Sequence, residues 1–250
     1  MRLALALLVL TGLAAPSAAG PGAPPDRSHA IAVQSVAALG PAAAWDSLTG
    51  LRWTYGRRQG DDITQAHHHT WNRRTGQHRV EGTARNGLRF VFIHTVGDTT
   101  TGIALMNGVR IPDGDSLRWL MARAQSMWVN DSPWLLLPHR LLEAGVQRAY
   151  DGEASIDGRM TDRLALTFAD DHEHAGERNW VYIDRDSHRI VRWEYVRRGT
   201  TPPPVTWDMG GWEQHDGLWF PTTHRQGAVT LVTTRIETVH AFPESTFLAP

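Results

Sequence analysis

The spacing of apolar positions divides the chain into an opening helical stretch, two long runs of strands and a helical insert between them. Residues 29–39 are rich in Ala, Val and Ile near helical spacing, Gly40-Pro41 stops them, and residues 42–48 resume for about two turns. From Leu51 the period becomes two: Leu51, Trp53 and Tyr55 alternate with Arg52 and Thr54. Further strands are predicted over residues 63–71, 77–83, 88–96 and 103–111, separated by clusters of turn residues. These gaps leave no room for crossover helices, so the strands are expected as an antiparallel meander.

Asp113 or Asp115 is placed to cap a helix running to about residue 129, on which Leu117, Leu120, Met121, Ala124 and Trp128 share one face. Asn130-Asp131-Ser132-Pro133 ends it, and Trp134-Leu135-Leu136-Leu137 forms a short apolar turn before Pro138. Strands return over residues 146–153, 160–168, 179–184, 189–197, 205–214, 218–226 and 229–239. In Trp180-Val181-Tyr182-Ile183 and Val191-Arg192-Trp193-Glu194-Tyr195, large apolar groups occupy both alternating sets or crowd one of them. A sheet with one wet face would alternate cleanly, so parts of both faces need cover. The expected fold is therefore mainly β with α (α+β): a curved antiparallel sheet or incomplete β-barrel, with an N-terminal helix and a central helical insert covering the hollow face.

The beginning of the chain reads as an address. Arg2 precedes an almost unbroken Leu/Ala stretch over residues 3–15, and Ser17-Ala18-Ala19 offers small residues for cleavage. That stretch is shorter than the roughly 20 apolar residues that span a bilayer. Residues 1–19 are thus read as a signal peptide, 20–27 as a flexible Pro/Gly/Ala tether, and 28–250 as a single domain, periplasmic or secreted after cleavage. The 250 residues carry a formal charge of -1, with 25 basic groups that are all arginine, which gives no electrostatic footprint for nucleic acid. The absence of cysteine excludes disulfides, thiolate nucleophiles and a lipid-modified N-terminal cysteine.

Catalytic motifs are scarce. There is no Gly-x-Ser-x-Gly turn, no Ser-x-x-Lys and no glycine-rich phosphate loop. The carboxylate pairs Asp61-Asp62, Asp170-Asp171 and Asp184 with Asp186 fall in expected turns, where Asp is favoured for its own backbone hydrogen bonds. His67-His68-His69 is the most conspicuous run, but on a strand His67 and His69 face one way and His68 the other. Two imidazoles on one face could hold a metal with a third ligand from a neighbouring strand, and His172, His174 and Asp170 form a second loose set. Neither set has a recognised ligand spacing, so both read better as solvated histidines, and no metal or cofactor is assigned. A metal-dependent hydrolase using His67, His69 or the His172/His174 pair is one alternative function, and a scaffold with a filled core is another.

The positive signal is aromatic. Eleven tryptophans outnumber six phenylalanines, and each indole N–H needs a partner when buried. Many such rings in one curved sheet point to a partly open hollow suited to an acyl chain, where each buried methylene contributes about 0.8 kcal/mol. Leu117, Leu120, Met121, Trp128, Trp134, Trp180, Tyr182, Phe90, Phe92 and Trp53 are the expected ligand-binding residues, with Trp128 and Trp134 hinging or covering the cavity.

Several stretches carry a resemblance. They are His69-x-Trp71-x-x-x-Thr75-Gly76-x-x-Arg79-x-Glu81, Trp128-x-Asn130-Asp131-x-x-Trp134-Leu135-Leu136-Leu137-Pro138, Arg178-x-Trp180-Val181-Tyr182-Ile183-Asp184, Arg192-Trp193-Glu194-Tyr195 and Gly217-Leu218-x-Phe220-Pro221. Together, over about residues 39–247, they resemble a group of exported bacterial proteins that looks like a branch of the outer-membrane lipoprotein-sorting, LolA-like superfamily. The resemblance implies an incomplete antiparallel barrel whose helices plug an apolar cavity. It further implies relatives that carry lipoprotein acyl chains or lipids through the periplasm. The leading expectation is a non-enzymatic periplasmic carrier or sensor that binds an acyl chain, lipid or lipoprotein, with a monomeric chain and a membrane-associated partner also expected.

Overall fold

The computed structural model describes residues 26–248. The signal peptide and residues 20–25 of the expected tether lie outside the described residues. The tether's last two residues belong to the first helix, α1 (Arg27–Ala37), because Asp26 caps it by accepting the Ser28 backbone N–H at 3.0 Å. Gly40 then turns the chain into α2 (Ala42–Ser47) with a φ of 134°, and a Cβ there would stand 2.4 Å from the Gly217 carbonyl oxygen. Only glycine fits so close an approach in that conformation.

The first run of strands comprises β1 (Gly50–Gln59), β2 (Asp62–Asn72), β3 (Gln77–Thr83), β4 (Arg89–Thr95), β5 (Ile103–Met106) and β6 (Val109–Arg110). The second comprises β7 (Val146–Ile156), β8 (Arg159–Phe168), β9 (Arg178–Asp184), β10 (Ile190–Val196), β11 (Val205–Gly210), β12 (Glu213–His215), β13 (Leu218–Phe220), β14 (Thr223–Gln226) and β15 (Val229–Val239). Three expected strands are each divided. Residues 103–111 form a hairpin because Asn107 and Gly108 both take positive φ (50° and 81°), the mirror-image turn that suits a two-residue loop. Residues 205–214 break at Gly210-Gly211, and residues 218–226 break at Pro221, which has no N–H to give a ladder. The freed pieces β12 and β13 pair with each other as a small second sheet.

Thirteen strands form one antiparallel sheet in the order β6-β5-β4-β3-β2-β1-β15-β14-β11-β10-β9-β8-β7, so β6 and β7 are its two free edges. Between those edges in sequence lie α3 (Asp115–Asp131), α4 (Pro133–Leu136) and a 3-10 turn (Leu137–Arg140). Twelve strand spacings of about 4.8 Å would part the edges of a flat sheet by roughly 58 Å. The insert instead packs on strands of both runs, α3 on β3–β5 and α4 on β8–β11, so the sheet curls around it, and register shifts in β1 at Arg52/Thr54 and Tyr55/Arg57 mark bulges that bend its centre.

The hollow of this open, curved sheet holds three apolar clusters. Leu117, Leu120, Met121, Ala124 and Met127 of α3 pack on Val80, Phe90, Phe92 and Ala104. Trp128, Leu135 and Leu136 pack on Leu51, Trp53, Phe220 and Ile236. Trp134 joins Ile31 and Ala32 of α1 against Leu164, Val181, Trp193 and Trp207. The start of α3 differs from expectation: its N-cap is Gly114, with no side-chain cap from Asp113 or Asp115. It also runs to Asp131, past the expected stop. The expected apolar turn after it is the short α4, begun by Pro133 in the first turn, where its missing N–H costs nothing.

Candidate functional site

Strand parity builds the floor of the hollow. On one face of neighbouring strands, Tyr55, His67, Gly82, Phe90 and Met106 form one cross-strand row, and Trp53, His69, Val80, Phe92 and Ala104 the next. A third row carries Leu51, Trp71, His78 and His94. Over the first rows lies an open cleft of about 1430 Å³. Its apolar wall includes Phe90, Phe92, Met106, Leu120, Met127, Trp134, Trp207, Val229 and Leu231. Arg57, Arg85, Arg123 and Arg197 also line it; all four are exposed and none has an ion-pair partner among the described residues. Trp119, 66% exposed, stands one helical turn before Arg123 at the same mouth.

Asp131 is the one carboxylate on the wall, and it is buried. It lies fourteen residues after Leu117, an even number of heptads, so α3 turns it inward with the apolar face. His67 Nδ1 lies 2.6 Å from its Oδ2, and His69 Nε2 lies 3.3 Å from the same oxygen. Burial pushes the Asp131 carboxyl up, and the His67 hydrogen bond is the largest of the contacts that outweigh burial and hold the group below its usual range. Behind His69 the rings continue: His69 Nδ1 is 2.9 Å from His78 Nε2, His78 Nδ1 is 3.0 Å from His94 Nε2, and His94 Nδ1 is 3.4 Å from the Asp98 carbonyl oxygen. Burial lowers the pKa of all three of these rings, His78 most of all.

Of the expected ligand-binding residues, Leu120, Phe90, Phe92 and Trp134 line the cleft. Leu117, Met121, Trp128 and Trp53 do not border it; they pack in the apolar clusters between α3, α4 and the sheet. Trp128 is no hinge or cover. Its ring meets Trp53, Trp71 and His78 at centroid distances of 6.3, 5.2 and 5.0 Å, and its indole N–H donates to Glu173 at 2.7 Å. Trp180 and Tyr182 lie on the opposite face, because parity turns Val181 and Ile183 inward. Outside the hollow the Tyr182 hydroxyl donates to Glu194 at 2.9 Å and accepts from Arg163 at 3.4 Å.

The histidines also depart from expectation. His69 is buried rather than solvated, as are His78 and His94 behind it, for which the sequence carries no expectation, and the third group beside His67 and His69 comes from a helix, not a neighbouring strand. Among the described residues only His67, His69 and Asp131 gather three metal-capable donor atoms, all within 4.8 Å of one another. The His172/His174 set is not gathered with Asp170, which is exposed. His172 Nδ1 instead accepts the His174 backbone N–H, and His174 Nδ1 pairs with Glu177 at 3.1 Å. The signals that would have found the site are the two-heptad offset of Asp131 from Leu117 and the shared strand face of His67 and His69.

No family model matches the sequence, and no curated protein matches it either. Solved structures do match. A LolA superfamily protein from Nitrosomonas europaea aligns at a TM-score of 0.50 with 9% identity, over 88% of this chain and 97% of that one. A DUF1329 family protein from Desulfovibrio piger aligns at a TM-score of 0.49 with 13% identity, over 89% of this chain and 97% of that one. What is shared at such identities is architecture, and the fold is LolA-like: an open antiparallel sheet with helices in its hollow. No helix among the described residues is long and apolar enough to cross a membrane.

Proposed function

We propose that the chain is a non-enzymatic carrier or sensor of the periplasm, exported by residues 1–19, that receives an acyl chain bearing an anionic head. The observation that carries this reading is the division of the cleft into an apolar wall and an arginine mouth. The wall supplies a non-directional driving force of about 0.8 kcal/mol per methylene buried, which selects for chain length rather than for a particular polar group. Four unpaired guanidinium groups at the opening favour a carboxylate or phosphate, which arginine can hold through two parallel hydrogen bonds. Trp119 beside them has an apolar body and a polar edge, a composition suited to the boundary between lipid and water. The LolA-like fold supports the reading at the level of architecture.

The test is to purify the protein natively, extract it for lipid mass spectrometry, then strip it and titrate a fluorescent fatty acid. A carboxylate-headed probe is expected to bind at least about tenfold more tightly than its methyl ester, a gap of about 1.4 kcal/mol. Replacing the exposed Arg123 and Arg197 together by alanine is expected to remove most of that gap without unfolding the protein. A protein that extracts empty and binds neither probe refutes the carrier. Equal binding of acid and ester refutes the role given to the arginines.

A further inference from the structure

We propose that His67, His69 and Asp131 bind one divalent first-row transition metal ion of the zinc type at the floor of the cleft, with His78 and His94 orienting the His69 ligand. The inference goes beyond the acyl-chain reading and does not depend on it.

The direction of the buried hydrogen-bond line carries the argument. It ends on the Asp98 carbonyl oxygen, which can only accept, so His94 Nδ1 is the donor there. A neutral imidazole has one donor and one acceptor. His94 Nε2 must then accept from His78 Nδ1, and His78 Nε2 must accept from His69 Nδ1. This leaves a lone pair on His69 Nε2, and that atom is buried without any hydrogen-bond partner. It faces Asp131 Oδ2 at 3.3 Å, so a nitrogen lone pair and a carboxylate oxygen confront each other inside the protein. Two acceptors so placed repel unless a cation stands between them.

The donor chemistry fits a metal as that cation. Two imidazole nitrogens and one carboxylate oxygen, without sulfur, suit zinc and its first-row neighbours, whereas calcium and magnesium favour oxygen alone. Ligand atoms bound tetrahedrally at about 2.0–2.1 Å stand roughly 3.3 Å apart. The His69–Asp131 separation of 3.3 Å already matches. The His67–Asp131 separation of 2.6 Å is that of a hydrogen bond, whose proton a metal would displace. His69 is backed by two further rings, the outer support that typically fixes a ligand histidine's tautomer. His67 and Asp131 border the cleft, so the remaining coordination position would open into it.

Untagged full-length protein, dialysed against a chelator, should take up one equivalent of cobalt(II) or zinc(II) by elemental analysis. His67→Gln and Asp131→Asn should each weaken binding at least about 100-fold, and His94→Gln about 10- to 100-fold, as loss of outer support does elsewhere. X-ray absorption on the zinc-loaded wild type, which needs no variant to fold, should report two imidazoles and light-atom ligands. Uptake below half an equivalent overturns the proposal and leaves a proton as the only cation at the site. So does unchanged binding in both His67→Gln and Asp131→Asn, or a shell with no imidazole or with more than two.

Discussion

Asp131 shows how one side chain can change the reading of a helix. By composition, Asn130-Asp131-Ser132-Pro133 marks an ending. By position, Asp131 continues the buried stripe of Leu117, Leu120, Met121, Ala124 and Trp128, and its carboxylate is the group that His67 and His69 approach. The stripe itself is legible from spacing, and of its members Leu120 reaches the cleft wall, as does Trp134 of the following α4. The carboxylate was not legible, because spacing reports which face a residue occupies and not what meets it across the sheet. Two substitutions probe this scale. Met121 is fully buried, so Met121→Ala should cost about 2–5 kcal/mol in urea unfolding. Gly40→Ala should also destabilise, by about 1–3 kcal/mol, because it forces a Cβ onto the Gly217 carbonyl at a positive φ; a melting temperature equal to wild type would count against that contact.

At the scale of elements, the two strand runs and the insert follow directly from the periods of two and 3.6. What periodicity cannot supply is which face of a strand points inward when both carry large side chains. Trp180 and Tyr182 are the case in point: their bulk suggests a lining role, yet both lie on the other face, where Arg163 and Glu194 satisfy the Tyr182 hydroxyl. Register settles it through Val181 and Ile183, whose inward side chains fix the parity of the whole of β9. Hairpin chemistry was likewise hidden inside the run 103–111, although Asn107-Gly108 is a strong turn signal. The element order makes its own prediction. Amide hydrogen exchange should be slowest in β1 and β15, which each have neighbours on both sides, and fastest in the two-residue edge strand β6. Comparable protection of β6 and β1 would contradict the pairing order.

The molecule as a whole encloses imidazoles that stay neutral below about pH 6.5 only while folded. Burial depresses His139 to about 4 and, with no hydrogen-bond partner for either ring nitrogen, His224 to about 3. An unfolded histidine titrates near 6.5, so below that pH the unfolded chain binds protons that the native one refuses. Stability should therefore be full above about pH 6.5 and fall as the pH drops toward 4 and 3, flattening below the folded values. Each such ring contributes a slope of about 1.4 kcal/mol per pH unit when discrimination is complete. Urea midpoints between about pH 6.5 and 5, above the main carboxylate range, should show the slope, and His224→Phe should reduce it by about one proton. An unchanged slope would mean that His224 titrates alike in both states.

Among the described residues, β1 lies at the middle of the sheet between β2, which follows it directly, and β15, the highest-numbered strand. Gly50 pairs with Val239, so closing that contact must wait for every strand between them and then bring together parts far apart in sequence. Topologies of this kind fold slowly, because loop entropy is spent before distant pairings return it. Until then one flank of β1 stays open to any passing strand, a row of unpaired backbone groups that invites mispairing.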